Sequence, residues 1–218
     1  QIYDTNLAVT TSGASTCSSS ESCLLYRYDQ PVSGDSAEIT GGGVVRLIAS
    51  TPQTRLIIND PFCLGVEYTL RLKQAVASVL RLMKEQNLFN ATEAETSVLH
   101  ILRGGLNFGL RDALADAFGW NIHGSAFISA QRARRAENPE DWVITESDYR
   151  KISLHPKNTI VLGDVVATGT SLEYALRLLG QTAAQQKNEI SSIVFFTIGS
   201  PRTEEILRAL DPEFRRLF

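Results

Sequence analysis

The sequence has few cysteines and no long apolar run, and each shortage excludes a class of protein. Its three cysteines, Cys17, Cys23 and Cys63, are odd in number and only the first two lie close together, so neither a disulfide framework nor a metal-ligand spacing is present. No run approaches the roughly 20 apolar residues that a membrane span needs, and the first residues lack the charged-then-apolar order of a signal peptide. We therefore expect a cytoplasmic protein with no membrane partner.

An excess of positive charge is also missing. The 218 residues carry 21 Lys and Arg against 24 Asp and Glu, a formal net charge of −3. No overall basic field attracts the chain to nucleic acid, so we expect no nucleic-acid partner, and any bound anion has to be held locally. With 43% hydrophobic residues, the chain is long enough for one domain with an appendage.

The amino-terminal part has mixed signals. Residues Thr10 to Ser22 are mostly Ser, Thr and Gly, and we expect an irregular segment there. Short apolar runs at Leu24–Tyr26 and Val44–Ile48 predict strands of a small sheet, and the apolar spacing over Val66–Gln86 predicts a long amphipathic helix. We expect residues 1–65 to form a partly irregular cap or arm, and residues 66–218 to form the main domain.

Strand and helix patterns alternate through the rest of the chain. Strands are predicted at Ser97–Leu102, Gly124–Ala130, Thr159–Val166 and Ile193–Ile198. Helices are predicted at Phe108–Phe118, stopped by Gly119, at Ser171–Leu179, closed by Gly180, and after Ser200-Pro201. This alternation predicts an α/β fold with a mostly parallel sheet and helices on both faces.

The most informative stretch runs from Ile160 to Leu172. An apolar strand ends at Asp164, and a tight turn of small and hydroxyl residues leads straight into a helix. The backbone N–H groups at such a helix start, with the positive end of its dipole, form a cradle for a phosphate, to which the Thr168, Thr170 and Ser171 hydroxyls add donors. Gly169 allows close backbone approach. The alternative interpretation is a strand–turn–helix junction whose hydroxyls only cap the helix.

At these residues the sequence resembles the signature by which type I phosphoribosyltransferases bind 5-phosphoribosyl 1-diphosphate (PRPP). Ala167-Thr168-Gly169, followed by Thr170 and Ser171, is similar to the uracil phosphoribosyltransferase version. The resemblance implies that residues 167–171 bind the 5-phosphate of PRPP and that Asp164 faces either the ribose hydroxyls or the water of the metal ion. Mg²⁺ is expected to arrive with PRPP and to have no direct protein ligand.

A second motif, Ile101 to Leu106, resembles the pyrophosphate loop of the uracil enzymes. It follows a predicted strand, at the edge where ligands of open α/β sheets bind. Arg103 supplies a fork-shaped cation for pyrophosphate, and Gly104 and Gly105 allow a strained backbone to turn its N–H groups toward the anion. A surface arginine beside a glycine turn is the alternative.

The segment from Gln131 to Ile152 lies where the family has a flexible loop that closes over PRPP. It is rich in charge, and Ala133–Ser153 shows no sustained apolar period, so we expect a functional or irregular connection. Arg132 is the basic residue nearest the preceding strand, and the resemblance implies that it contacts the leaving pyrophosphate. A solvated surface charge is the alternative for each of these residues.

The sequence also departs from the family pattern. Many type I enzymes have two acids at the strand end, but Gly163 occupies the first position and Asp164 stands alone. Uracil enzymes also have one acid, at the place of Gly163. Ala167 replaces the frequent base-side Asp, and the Gly-Asp-rich segment that follows the last strand in uracil enzymes is missing.

The resemblance implies transfer of ribose 5-phosphate from PRPP to a small nitrogenous base, with release of pyrophosphate, by a homodimer. Its catalytic residues are expected to be Arg103, Arg132 and Asp164. Because Gly163 and the missing segment depart from the pattern, two alternatives remain: a non-catalytic PRPP- or nucleotide-binding regulatory module, and an assembly protein with a vestigial site.

Overall fold

The computed structural model describes residues 14–19, 23–28, 44–102, 107–134, 142–199 and 202–218. The amino-terminal elements are β1 (Ala14–Ser19), β2 (Leu24–Tyr28), β3 (Arg46–Ser50), α1 (Pro52–Asn59) and α2 (Gly65–Glu85). They are followed by β4 (Thr96–Leu102), α3 (Leu110–Phe118), β5 (Gly124–Ser129), β6 (Gln131–Arg134), β7 (Trp142–Glu146) and β8 (Arg150–Ile152). The last elements are β9 (Lys157–Val166), α4 (Thr170–Gln186), β10 (Glu189–Gly199) and α5 (Arg202–Leu217). Among the described helices, none combines the length and apolar character needed to cross a membrane.

By its contacts the chain divides into two compact units. The first contains residues 1–90 and 111–120, and the second contains residues 91–110 and 121–218. The division after residue 65 stays a prediction.

In the first unit, β1, β2 and β3 form an antiparallel sheet in that order. The strands expected near Leu24 and Val44 are confirmed, but the irregular segment expected over Thr10–Ser22 is wrong at β1. A strand is held by backbone hydrogen bonds to its neighbour, so β1 pairs with β2 despite its small polar side chains.

The helices of the first unit follow local signals. Helix α1 begins with a reciprocal hydrogen bond between Thr51 and Thr54, with Pro52 in its first turn. The predicted long helix is confirmed as α2, whose buried stripe includes Leu72, Val76 and Leu80. Trp120 packs against Phe118, with ring centroids 4.8 Å apart, so it has a packing role.

The second unit is built on a sheet with the strand order β10-β9-β4-β5-β8 among the described residues. All neighbours are parallel except β5 and β8, which are antiparallel. The sheet is flanked by helices, so the predicted α/β class with a mostly parallel sheet is confirmed. Its core lies between the sheet and helices α4 and α5, and includes Leu99, Leu162, Leu176 and Ile206.

Two sequence expectations in this unit are wrong. Helix α4 does not end at Gly180 but continues to Gln186. Gly180 is buried, and a Cβ at this position would lie 3.1 Å from Cζ of Phe214, so the glycine permits close packing of α4 against α5. The connection over Ala133–Ser153 also contains strands: β6 and β7 pair as an antiparallel hairpin, and β8 pairs with β5. These strands form because they pair with one another or with β5, and the apolar period of the segment alone does not predict them.

The amino-terminal edge of this sheet is held by buried Asn158. Its side-chain oxygen accepts from the Ser97 hydroxyl at 2.9 Å and from the His155 N–H at 3.0 Å. Its amide donates to the carbonyl oxygens of His155 and Glu189. These bonds join the starts of β4, β9 and β10 at one edge of the sheet. The carboxyl ends of the parallel strands lie at the opposite edge.

Candidate functional site

The strand order reverses between β4 and β9, and this reversal opens a crevice. Beginning at β4, the chain adds β5 on one side and later adds β9 on the other. The pairing of β4 with β9 stops at Leu99 and Leu162, although β4 continues to Leu102 and β9 continues to Val166. The two strands therefore separate at their carboxyl ends, which is where open α/β sheets bind ligands.

A cavity of about 300 Å³ lies at these strand ends. It is lined by Ile101, Leu102, Ala130, Gln131, Asp164, Val165, Val166, Ala167, Gly169, Ser171 and Leu172. The structure therefore brings together Asp164, Ala167, Gly169 and Ser171, four of the residues expected from the sequence. The lining comes from the ends of β4, β5 and β9 and from the start of α4.

The turn that joins β9 to α4 lines the cavity with Ala167 and Gly169. Gly169 is the N-terminal cap residue of α4 and has a φ of +80°, a left-handed conformation that favours glycine. As a glycine, this cap residue has no side chain that could bond the first N–H groups of the helix. The first N–H groups of a helix have no partner within the helix, so those of α4 are suited to an anion.

The hydroxyls of this turn have different surroundings. The Thr168 and Thr170 oxygens lie 3.3 Å apart, at the distance of a weak hydrogen bond. The Ser171 hydroxyl donates to the carbonyl oxygen of Ala130 at 3.0 Å. Ser171 therefore joins the turn to the end of β5, a contact that the sequence does not predict.

Asp164 shares a face of β9 with Leu162 and Val166, because side chains alternate along a strand. It is half-buried, and its Oδ1 accepts the Val165 N–H at 2.9 Å. Among the described lining residues Asp164 is the only charged one. An anion here therefore needs cations from outside this set.

Gly163 is the first residue of β9 beyond its pairing with β4, and it faces the opposite side of the sheet. A Cβ at Gly163 would lie 2.5 Å from Cγ and 2.9 Å from Cβ of Phe108, closer than real Cβ contacts. Phe108 is itself buried. The space for a side chain at position 163 is therefore filled by an aromatic ring.

The cations expected from the sequence fall outside the described part of the site. Arg103, Gly104 and Gly105 lie outside the described residues, but Leu102, which precedes them in the chain, lines the cavity. Arg132 is in β6, one residue after the cavity-lining Gln131, and its side chain lies outside what the structure describes. Their assignments stay predictions.

Gln131 is a site residue that sequence reasoning missed. It is half-buried and lines the cavity at the junction of β5 and β6. Its position in the sequence could have indicated this, because Gln131 directly follows the strand pattern of β5 and the carboxyl ends of parallel strands share one edge of the sheet. No group of three or more His, Cys, Asp or Glu side chains within the described ranges is arranged to hold a metal ion.

No protein-family model matches this chain, and no curated protein matches it. Among solved structures it is similar to a hypoxanthine phosphoribosyltransferase from Staphylococcus aureus, with 17% identity and a TM-score of 0.39. That likeness covers 59% of this chain and 65% of the other, less than two thirds of its length.

Two further solved structures are similar at the same level. A hypoxanthine-guanine phosphoribosyltransferase from Bacillus anthracis has 20% identity and a TM-score of 0.35, over 61% of this chain and 71% of the other. A purine phosphoribosyltransferase from Pyrococcus horikoshii has 16% identity and a TM-score of 0.33, over 62% and 89%. None of the three is named a uracil enzyme, so the closer resemblance to uracil enzymes is not confirmed. Likenesses this weak leave the function to be argued from the chain's own residues.

Proposed function

We propose that this chain is a phosphoribosyltransferase that transfers ribose 5-phosphate from PRPP to a nitrogenous base and releases pyrophosphate. The observation that carries the proposal is the crevice between β4 and β9, which is lined both by the start of α4, with Gly169 as its cap residue, and by Asp164. A helix start beside a carboxylate suits a phosphorylated sugar with free hydroxyls, because the helix N–H groups attract the phosphate and the carboxylate accepts from the hydroxyls.

The 5-phosphate is proposed to bind the turn from Ala167 to Ser171. The backbone N–H groups at the start of α4 donate to the phosphate oxygens, and the left-handed Gly169 lets the anion approach the backbone. Asp164, near the end of β9 just before this turn, is proposed to accept from the ribose hydroxyls.

Pyrophosphate leaves as the bond from its oxygen to the anomeric carbon breaks and the bond to the base nitrogen forms, and the proton that this nitrogen loses passes to solvent water. Its growing negative charge requires positive groups, and Arg103 with the loop at Gly104 and Gly105 is the proposed source, aided by Arg132. Leu102 and Gln131, the neighbours of these arginines in the chain, both line the cavity. Ala167 carries no carboxylate, so no general base is proposed there.

Mg²⁺ is proposed to enter as part of the substrate, bound to PRPP. Magnesium prefers oxygen ligands, keeps several waters, and is commonly held by one or two carboxylates with substrate phosphates. The single carboxylate Asp164 fits a role toward the water shell of such an ion, and neutralisation of the pyrophosphate charge is what the ion supplies.

The proposal is tested by titrating PRPP into the protein by calorimetry with and without Mg²⁺, then measuring pyrophosphate release with a panel of nucleobases. Asp164→Asn should weaken PRPP binding about 10- to 100-fold, the range for a lost hydrogen bond to a charged group. Asp112→Asn, on the exposed surface of α3, is the matched control and should bind as the parent does. Equal PRPP affinity of Asp164→Asn and parent would remove Asp164 from the site.

A non-catalytic PRPP- or nucleotide-binding regulatory module is the second candidate. The contact of Gly163 with Phe108 favours it, because a side chain at the position of the first acid in two-acid enzymes would have to displace the Phe108 ring. PRPP binding without pyrophosphate release on any nucleobase would favour the module, and release would favour the enzyme.

The homodimer stays a proposal too, and sedimentation velocity at micromolar concentration checks it.

A further inference from the structure

The hydroxyl of Ser171 is already engaged within the protein. It donates to the carbonyl oxygen of Ala130 at 3.0 Å, and Ala130 is buried between β5 and β6. A serine hydroxyl has a single proton to donate. While this bond is made, the Ser171 hydroxyl cannot donate a hydrogen bond to a phosphate oxygen. The backbone N–H of Ser171 is a separate donor, in the first turn of α4.

Ala130 is the last residue before the hairpin of β6 and β7. The next residue, Gln131, lines the cavity, and Arg132 follows it. On the far strand of the hairpin, Ile144 packs against the apolar core to which α4 contributes. The base of the hairpin is therefore attached to the α4 region by apolar packing at Ala130 and Ile144 and by the hydrogen bond from Ser171.

We propose that Ser171 is a positioning residue, whose hydroxyl fixes the junction of β5 and β6 at the phosphate-binding turn and so sets where Gln131 and Arg132 stand. The inference rests on the proposed function only for its kinetic consequence. Binding of the 5-phosphate then depends on the backbone N–H groups and on Thr170. Pyrophosphate departure depends instead on the hydrogen bond from the Ser171 hydroxyl to Ala130, here called the Ser171 link.

The link itself is tested by hydrogen exchange of the ligand-free protein, read on peptides that cover residues 128–134 and 142–146. Ser171→Ala should raise the exchange rate of these amides about threefold to tenfold, the effect of losing one intramolecular hydrogen bond. Thr170→Ala, which removes the adjacent hydroxyl, should leave them unchanged, and Ser171→Thr, which keeps a hydroxyl, should resemble the parent. Equal exchange in Ser171→Ala and parent would overturn the inference.

The consequence is tested by calorimetric titration with ribose 5-phosphate and by steady-state kinetics. Ser171→Ala should change the ribose 5-phosphate Kd by less than about twofold but lower kcat by about tenfold, whereas Thr170→Ala should mainly weaken binding. A loss of ribose 5-phosphate affinity in Ser171→Ala as large as that in Thr170→Ala would show that Ser171 is an ordinary phosphate ligand. If the parent binds neither PRPP nor ribose 5-phosphate, the proposed function fails, while the exchange experiment still decides the link.

Discussion

Gly163 lies directly against the ring of Phe108: a Cβ added to the glycine would be 2.5 Å from Cγ and 2.7 Å from Cδ1 of that ring. Phe108 is 2% exposed, so its ring is packed inside the protein. A side chain at position 163 therefore has to displace a packed aromatic residue.

We expect Gly163→Ala to lower the free energy of unfolding by about 1–3 kcal/mol, as overpacking of a core does. Gly163→Asp should lower it further, because a carboxylate would also be buried, and should not tighten PRPP binding. Chemical denaturation and calorimetric titration measure the two effects. On a Phe108→Ala background the cost of Gly163→Ala should shrink, and an unchanged cost would show that the ring is not the obstacle.

Two left-handed glycines allow backbone strain to be separated from crowding. Gly169 has a φ of +80° and a Cβ there would lie 2.0 Å from Cδ1 of Ile206, whereas Gly119 has a φ of +73° and nothing within 4 Å. Gly119→Ala should cost about 1–2 kcal/mol from strain alone. Gly169→Ala should cost more and should weaken ribose 5-phosphate binding, as measured by denaturation and calorimetry. Equal costs at the two positions would mean that Ile206 moves aside freely.

Arg103→Ala should reduce PRPP binding or pyrophosphate release and leave folding largely intact. A cation at a strand end that serves a ligand is expected to be solvated when the ligand is absent, so its removal deprives the fold of little. Calorimetry and thermal denaturation measure both properties of one preparation. A loss of stability as large as that of a core truncation would show that Arg103 is structural.

Glu95, in the short 3-10 turn before β4, predicts an acid dependence of stability. Its Oε2 accepts from the Thr92 hydroxyl at 2.9 Å and from the Thr92 N–H at 3.3 Å, and these hydrogen bonds hold the pKa of Glu95 below its usual 4.5. The folded-state pKa is lower than the unfolded one, so the stabilisation is complete above pH 4.5 and is lost as the pH falls through the folded pKa.

Urea unfolding of the parent and of Glu95→Gln across this pH range measures the effect. The free energy of unfolding should fall more steeply with acidification in the parent, because the glutamine does not titrate. Parallel curves for the two proteins would show that the Thr92 contacts contribute no pH dependence.

The sequence by itself determined the elements with strong periodic or turn signals. Helix α2 follows from one apolar stripe, and the strand of β9 and the turn at Gly169 follow from an apolar run ended by small and hydroxyl residues. It also indicated that Asp164 and the start of α4 belong together, because they are separated by a single turn. These features depend on residues close in sequence, so local patterns contain the information.

The tertiary structure decided what depends on residues distant in sequence. Pairing with β2 made a strand of the polar segment β1, and packing against Phe214 kept Gly180 inside α4. Phe108 filled the space beside Gly163, and the carbonyl oxygen of Ala130 accepted a hydrogen bond from the Ser171 hydroxyl. Each outcome is set by a partner that the chain brings near only on folding, and the neighbours of a residue in sequence do not specify that partner.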